Sequence, residues 1–168
     1  MLIRRLVSSD AAAWQSLRLE ALRDFPTAFG SSYEEEAGTA LAAIESDLAP
    51  QSGRNRFGAF DGDMLVGLIG VGRETARKHR HKAFIRAVYV TPSQRGRGVG
   101  KLLVEHALDF IATMPDLLQI TLSVTAGNAA ALGLYTALGF TVYGCEPCAM
   151  LVDGLPYDDV LMVRSVVN

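Results

Sequence analysis

Arg95-Gly96-Arg97-Gly98-Val99-Gly100-Lys101 puts three glycines and three cations into seven consecutive residues. Val88-Tyr89-Val90, the end of an apolar strand pattern, precedes it, and the clearest amphipathic helix pattern of the chain follows. Glycines let backbone N–H groups come close to an anion, and a helix that starts there favours negative charge at its end. The side chains of Arg95, Arg97 and Lys101 can add charge-assisted contacts. A phosphate-bearing ligand is the guest this chemistry predicts. Two familiar phosphate frames fail. The P-loop needs four residues between its Gly and Gly-Lys and then Ser or Thr; here Gly96 and Gly100-Lys101 enclose three, and Leu102 follows. In the dinucleotide frame G-x-G-x-x-G, the last glycine would fall on Lys101 or Leu103. The frame satisfied is Arg-x-x-Gly-x-Gly, met by Arg95, Gly98 and Gly100.

A second segment, Asn128-Ala129-Ala130-Ala131-Leu132-Gly133-Leu134-Tyr135-Thr136-Ala137-Leu138-Gly139-Phe140, follows a strand pattern over Leu117 to Thr125. Alone, Asn128 reads as a helix cap and Tyr135 as an aromatic on a core face. Together, in this order and on these kinds of element, the two segments resemble the GCN5-related N-acetyltransferase superfamily. The second matches its Asn-x-x-Ala-x-x-Leu-Tyr-x-x-x-Gly-Phe run. The resemblance follows the element order of the whole chain and is specific from about Val88 to Phe140.

The resemblance implies an α/β fold: a mixed, splayed β-sheet of six to seven strands flanked by about four helices. It implies acetyl-CoA as the acetyl donor and no metal. The pyrophosphate would sit on Arg95, Gly96, Arg97, Gly98, Val99, Gly100 and Lys101. The pantetheine amides would pair with the edge of Val88-Tyr89-Val90, as an added strand does. Asn128 would bond the pantetheine arm, and Tyr135 would lie near the CoA sulfur as general acid. The oxyanion donor would be a backbone N–H of the same strand, near a bulge that splays it from its neighbour. The reaction implied is direct transfer of acetyl from the thioester to an amine, with holding of the two reactants in line supplying much of the acceleration.

An alkyl amine has a pKa near 10, so a proton acceptor helps at neutral pH. Many relatives carry a Glu on the strand matching Ala83 to Val90, but Ala-Phe-Ile-Arg-Ala-Val-Tyr-Val holds no carboxylate. The base is either a water chain or a carboxylate of the first helices, such as Glu34 or Glu35. Most of Glu34-Glu35-Glu36 reads as a solvated helix start. Glu20, Asp24 and Glu34 to Glu36 hint at a cationic acceptor, either a small amine or a peptide or protein amino group. A non-catalytic acyl-CoA-binding or sensing module is the alternative. A nucleotide-binding protein using the same loop is the third reading, and it predicts stabilisation by ATP rather than acetyl-CoA.

These motifs need elements to hold them. The chain has 168 residues, about the length of one domain, so one domain over 1–168 is expected. Hydrophobic residues make up 49%, charged residues 20%, and mean hydropathy is +0.20, which excludes a disordered chain. Net charge is −2, so no global basic field serves DNA or RNA. Two cysteines exclude a disulfide framework. No apolar run reaches the roughly 20 residues of a membrane span, and Met1 to Asp10 has no continuous apolar signal core. A cytoplasmic monomer or homodimer without membrane or nucleic-acid partners is expected.

Leu2 to Val7 reads as a strand, and Trp14, Leu17 and Ala21 predict a helix to about Asp24, ended by Pro26. Glu34 to Leu48 predicts a second helix closed by Pro50 and Gly53. Arg56 to Phe60 and Met64 to Val71 flank Asp61-Gly62-Asp63, a hairpin signal. Lys82 to Val90 is a strand. Val99 to Ile111 is a helix whose face is Val99, Leu102, Leu103, His106, Ala107 and Phe110. Ala131 to Leu138 gives a further helix, with strands at Phe140 to Tyr143 and Val160 to Val166. Cys145-Glu146-Pro147-Cys148 lacks partner ligands for zinc and reads as two reduced thiols. His79 and His81 sit among cations in a solvated connection, and His106 is a core residue.

Overall fold

The computed structural model describes residues 1–49 and 54–166. Pro50 and Gly53, expected to close the second helix, lie outside the described residues. Seven strands form one sheet: β1 (Leu2–Arg5), β2 (Arg54–Asp61), β3 (Met64–Arg73), β4 (Lys82–Val90), β5 (Gln119–Thr125), β6 (Thr141–Val152) and β7 (Leu155–Ser165). Their spatial order is β1-β2-β3-β4-β5-β7-β6. Every pairing is antiparallel except β4 with β5, which are joined by a helical crossover and therefore parallel. The α/β class and the mixed, splayed sheet match the sequence expectation.

The described residues form five α-helices: α1 (Ala11–Asp24), α2 (Tyr33–Ala37), α3 (Leu41–Leu48), α4 (Val99–Ala112) and α5 (Ala129–Ala137). The extra helix arises because the expected 34–48 helix is two. Ser32 and Glu35 form a reciprocal capping box that starts α2, and Gly38 ends it after five residues. Ala40 then takes an extended conformation and starts α3 in a new direction.

Near-continuous burial along β3 and alternating burial along β4 and β5 feed two cores, one on each face of the sheet. On one face Val99, Leu103, Val104, Ala107 and Ile111 of α4 pack on Ile69, Ile85, Ile120 and Leu122. The face expected for α4 is corrected here: Leu102 is exposed, and Val104 and Ile111 take the inward positions. The other face receives α1 and α3, through Leu17, Ala21, Ile44 and Leu48 against Phe60, Leu68 and Tyr89.

Two irregularities in β4 open the sheet. Leu68 of β3 faces Tyr89 while Gly70 faces Arg86, so Ala87 and Val88 together oppose the single residue Ile69. Ala87 takes φ 53, and the bulge turns the strand. On the other side, β4 pairs with β5 only through Lys82, Ala83 and Phe84. Beyond Phe84 the two strands diverge, and the edge of β4 from Ala87 to Val90 pairs with no strand of the described residues on that side. None of the described helices is long and apolar enough to cross a membrane.

The last two strands are longer than expected. They meet at Asp153-Gly154, with φ of 51 and 78, a two-residue turn that joins β6 to β7. Cys145 and Cys148 lie exposed and unbridged within β6.

Candidate functional site

The loop between β4 and α4 is shaped by glycine. Gly96 has φ +72 and Gly98 φ +80, conformations that cost most other residues about 1–2 kcal/mol. Nothing lies within 4 Å of where a side chain would start at either position. The first helical bond of α4 runs from the Leu102 N–H to the Gly98 carbonyl. The amides of Val99, Gly100 and Lys101 thus precede it and have no partner within the helix. No carboxylate occupies the first turn of α4. Open space, bare amides and the positive end of a helix fit an anion.

A cavity of about 730 Å³ runs from this cradle along the bared edge of β4. Its walls include Val88, Tyr89 and Val90 of β4, the loop residues Arg95, Gly96, Gly98, Val99, Gly100 and Lys101, and Asn128 at the start of α5. The structure thereby brings together most of the positions that the sequence motifs single out. Phe25, Thr27 and Phe29 from the α1–α2 connection, with Thr125 and Tyr157, complete it. These five carry no motif, and only the fold gathers them.

Several motif residues are placed in unexpected ways. The Arg95 guanidinium stacks 4.2 Å from the ring centre of Phe25, and its Nε donates to the Val90 carbonyl at 2.9 Å. Arg97 does not line the cavity and donates to Gln94 Oε1 at 2.7 Å. Lys101 lies 3.6 Å from Glu105 on the exposed side of α4. The Asn128 side chain accepts from the Ala131 N–H at 3.1 Å, which makes it the cap of α5. Tyr135 is buried on α5, edge-on to Phe140, behind the stretch of cavity wall that Ala131 and Leu134 provide. Burial pushes its hydroxyl pKa well above the ordinary tyrosine value.

The helical carboxylates are committed elsewhere. Glu34 is exposed, and Glu35 accepts from the Ser32 N–H at 2.8 Å. Glu36 is held by Arg18, whose Nε and Nη2 donate at 3.0 and 2.7 Å. Burial works to raise the Glu36 pKa, but the Arg18 hydrogen bond and charge, helped by Ser31 and Arg56, outweigh it and hold it below the usual range. A carboxylate that no motif marks is bonded to the cavity wall. Glu20 of α1 accepts from Tyr89 Oη at 2.9 Å and from Thr91 Oγ1 at 3.3 Å. Burial, and then Glu20, raise the Tyr89 pKa.

A second cavity, of about 500 Å³, lies between α1, α2, α3 and strands β2 to β4. Arg18, Arg56 and Arg86 line it with Glu36 and Asp47. Arg56 pairs with Asp47 and lies over the Trp14 ring. His106, expected in the core, is half-buried, edge-on to Phe57. The described residues contain no group of three or more His, Cys, Asp or Glu placed to hold a metal.

A splayed α/β sheet with an open glycine cradle at the mouth of the splay has the shape and polarity to suit an extended, phosphate-bearing ligand. The model of the Acetyltransferase (GNAT) family matches residues 14–140, and the chain belongs to that family. Among curated relatives, N-alpha-acetyltransferase RimI of Mycobacterium tuberculosis is 35% identical over 104 residues, 61% of each chain. Peptidyl-lysine N-acetyltransferase YjaB of Salmonella typhimurium is 43% identical over 58 residues, 34% of this chain and 36% of that one. The chain spans less than two-thirds of the length of the first curated relatives it matches. Among solved structures, a GNAT-family acetyltransferase of Streptococcus pneumoniae superposes with TM-score 0.86 at 22% identity, over 98% of both chains. The yncA protein of Salmonella typhimurium, solved with its cofactor acetyl-CoA, superposes with TM-score 0.82 at 21% identity, over 100% of this chain and 95% of that one. These two likenesses establish the fold.

Proposed function

We propose that this chain is an acetyl-CoA-dependent N-acetyltransferase, acting in the cytoplasm as one domain over residues 1–168. The observation that carries the reading is the cavity joining the α4 cradle to the unpaired edge of β4. A pyrophosphate fits the amides of Val99, Gly100 and Lys101, and Gly96 and Gly98 leave it room. Amides of a pantetheine arm find the backbone of Val88 to Val90, which lacks a strand partner there. The family match and the solved relative with bound acetyl-CoA support the same donor.

The chemistry follows from that placement. The neutral amine attacks the thioester carbonyl carbon; a C–N bond forms and the C–S bond breaks. A backbone N–H of β4 beside the bulge stabilises the oxyanion that develops. Tyr135 gives a proton to the departing sulfur, and the proton released by the amine leaves through cavity water. Burial suits Tyr135 to this role because its phenol stays protonated at working pH. The acceptor is an amine, of a small molecule or of a protein.

One observation favours a second reading, a non-catalytic acyl-CoA binder: Tyr135 does not line the cavity. The two readings part on turnover. Acetyl-CoA and CoA should raise the melting temperature while ATP and NAD do not, and release of free CoA should depend on added amine. Stabilisation by ATP or NAD alone would remove the acetyl-CoA reading. Stabilisation by acetyl-CoA without amine-dependent CoA release would leave the binding module.

A further inference from the structure

Glu20 stands where a carboxylate is unfavourable for a phosphate-bearing ligand. It is half-buried on α1 and makes no ion pair among the described residues. Its Oε1 is bonded to Tyr89, which walls the proposed acetyl-CoA cavity together with Arg95. A negative charge beside an anion cradle opposes the ligand unless the carboxylate does other work there.

Tyr89 and Thr91 are two residues apart, so both side chains leave the extended chain on one face, toward α1. One oxygen of Glu20 receives both hydroxyls, at 2.9 and 3.3 Å. Between them stands Val90, whose carbonyl accepts from Arg95 Nε at 2.9 Å. Glu20 thus fixes the chain on both sides of the carbonyl that holds Arg95. On the β3 side, the Thr91 N–H is bonded to the Val66 carbonyl at 2.9 Å. On the β5 side this stretch pairs with no strand of the described residues. The helix layer therefore supplies a hold that the splayed sheet does not. The Tyr89 ring extends the tie to the arginine, since it lies 5.6 Å from the guanidinium that stacks on Phe25. A hydroxyl that donates to a carboxylate makes its ring richer in electrons, and so a better partner for a cation. Glu20 lies in the C-terminal half of α1 and Phe25 ends it, so one helix end sets the strand edge, the ring and the guanidinium together.

We propose that Glu20 is a positioning residue of the acetyl-CoA site: through Tyr89 and Thr91 it holds the end of β4 and the Arg95 guanidinium where the pantetheine arm and the pyrophosphate meet them. This rests on the acetyl-CoA reading of the cavity. The acid that hints at a cationic acceptor in the sequence then serves the donor instead. The sign of an affinity change separates this role from plain electrostatics. Glu20→Ala removes a negative charge near the cradle, so charge alone would tighten acetyl-CoA, whereas loss of the tie weakens it. Isothermal titration should give a Kd for acetyl-CoA about tenfold higher in Glu20→Ala, the worth of about one hydrogen bond. Tyr89→Phe removes a hydroxyl and no charge, and should raise Kd several-fold. The double variant should lie within about twofold of Glu20→Ala, because the two changes act through one contact. Glu20→Gln keeps an acceptor oxygen for both hydroxyls and should recover most of the affinity. An unchanged or lower Kd in Glu20→Ala overturns the proposal, even with a lowered urea midpoint, since Glu20 would then serve stability alone. Losses that multiply in the double variant overturn it too. If Glu20→Ala does not fold, an unchanged Kd in Tyr89→Phe does so. A wild-type chain that binds no acetyl-CoA is a different result: it removes the acetyl-CoA reading itself, and this proposal with it.

Discussion

The guanidinium of Arg95 lies 4.2 Å from the ring centre of Phe25, which ends α1. The same group is 5.6 Å from the ring centre of Tyr89, and its Nε holds the Val90 carbonyl. The motif arginine therefore ties three segments together at the cavity mouth: the end of α1, the end of β4 and the glycine loop. Its positive charge still faces the cavity it lines. Arg95→Lys keeps that charge but loses the planar stack and the fixed Nε donor. We expect about 1 kcal/mol of lost stability in urea titration, with a several-fold higher KM for acetyl-CoA. A stability loss without a KM change would make the tie purely structural.

The glycines of the cradle separate backbone strain from ligand approach. Gly98 precedes α4 with φ +80, so Gly98→Ala should cost about 1–2 kcal/mol whatever the free space. Gly100 lies inside α4, and a side-chain carbon there would meet Leu134 at 3.5 Å, an ordinary contact. Gly100→Ala should leave the urea midpoint unchanged or raise it slightly, because alanine favours helix. It should nonetheless weaken acetyl-CoA binding, since the added methyl stands beside the bare amides. Isothermal titration of both variants checks the contrast. Undiminished binding by Gly100→Ala would move the anion away from this turn.

Sequence signals were strongest where a local rule acts alone. The strand over 82–90 and the helix start at Val99 coincide with β4 and α4, because glycine chemistry and helical periodicity leave little choice there. The break between α2 and α3 was not legible. Apolar spacing runs on through Gly38, and it is packing of α3 against α1 and the turn at Ser8–Asp10 that rewards the new direction. Asp153-Gly154 carries the same turn signal as Asp61-Gly62, yet Pro147 and the polar residues around it mask the strands it joins. β6 tolerates that proline because it is an edge strand and a bulge between Glu146 and Met150 relaxes its pairing. The stack of Arg95, the pairing of Glu20 with Tyr89 and the arginine cavity depend on tertiary contacts that sequence spacing does not encode.

Stability should fall in acid through identifiable pairs. The Arg4 hydrogen bond holds the Asp10 carboxyl below the usual range, against the opposing effect of burial, and the Val7 N–H adds to it. A carboxylate with a depressed folded pKa contributes stability that is present above its unfolded value, about 3.9 for Asp. That contribution is lost as pH falls through the folded pKa. Glu36 acts in the same direction through Arg18. Urea midpoints should therefore decline below about pH 4. Asp10→Asn should lower the midpoint at pH 7 and flatten the decline, and an unaltered slope would discount the Arg4–Asp10 pair.

Tyr135 is where the catalytic reading is most exposed to test. Its ring sits in the core with Phe140, and of α5 it is Ala131 and Leu134, not Tyr135, that line the cavity. A general acid must reach the sulfur it protonates, so a productive complex requires the hydroxyl to meet the cavity near the cradle's inner end. Burial favours the neutral phenol and raises its pKa above the ordinary value near 10. The rate should then rise with pH as the amine loses its proton, with no descending limb from Tyr135 below about pH 10. Tyr135→Phe keeps the packing and removes only the oxygen. It should lower kcat by about 100-fold, within the usual range for a general acid, while leaving the acetyl-CoA thermal shift intact. An equal loss in cofactor affinity would point to a packing role instead. An unchanged kcat would take Tyr135 out of the mechanism and leave protonation of the thiolate to solvent.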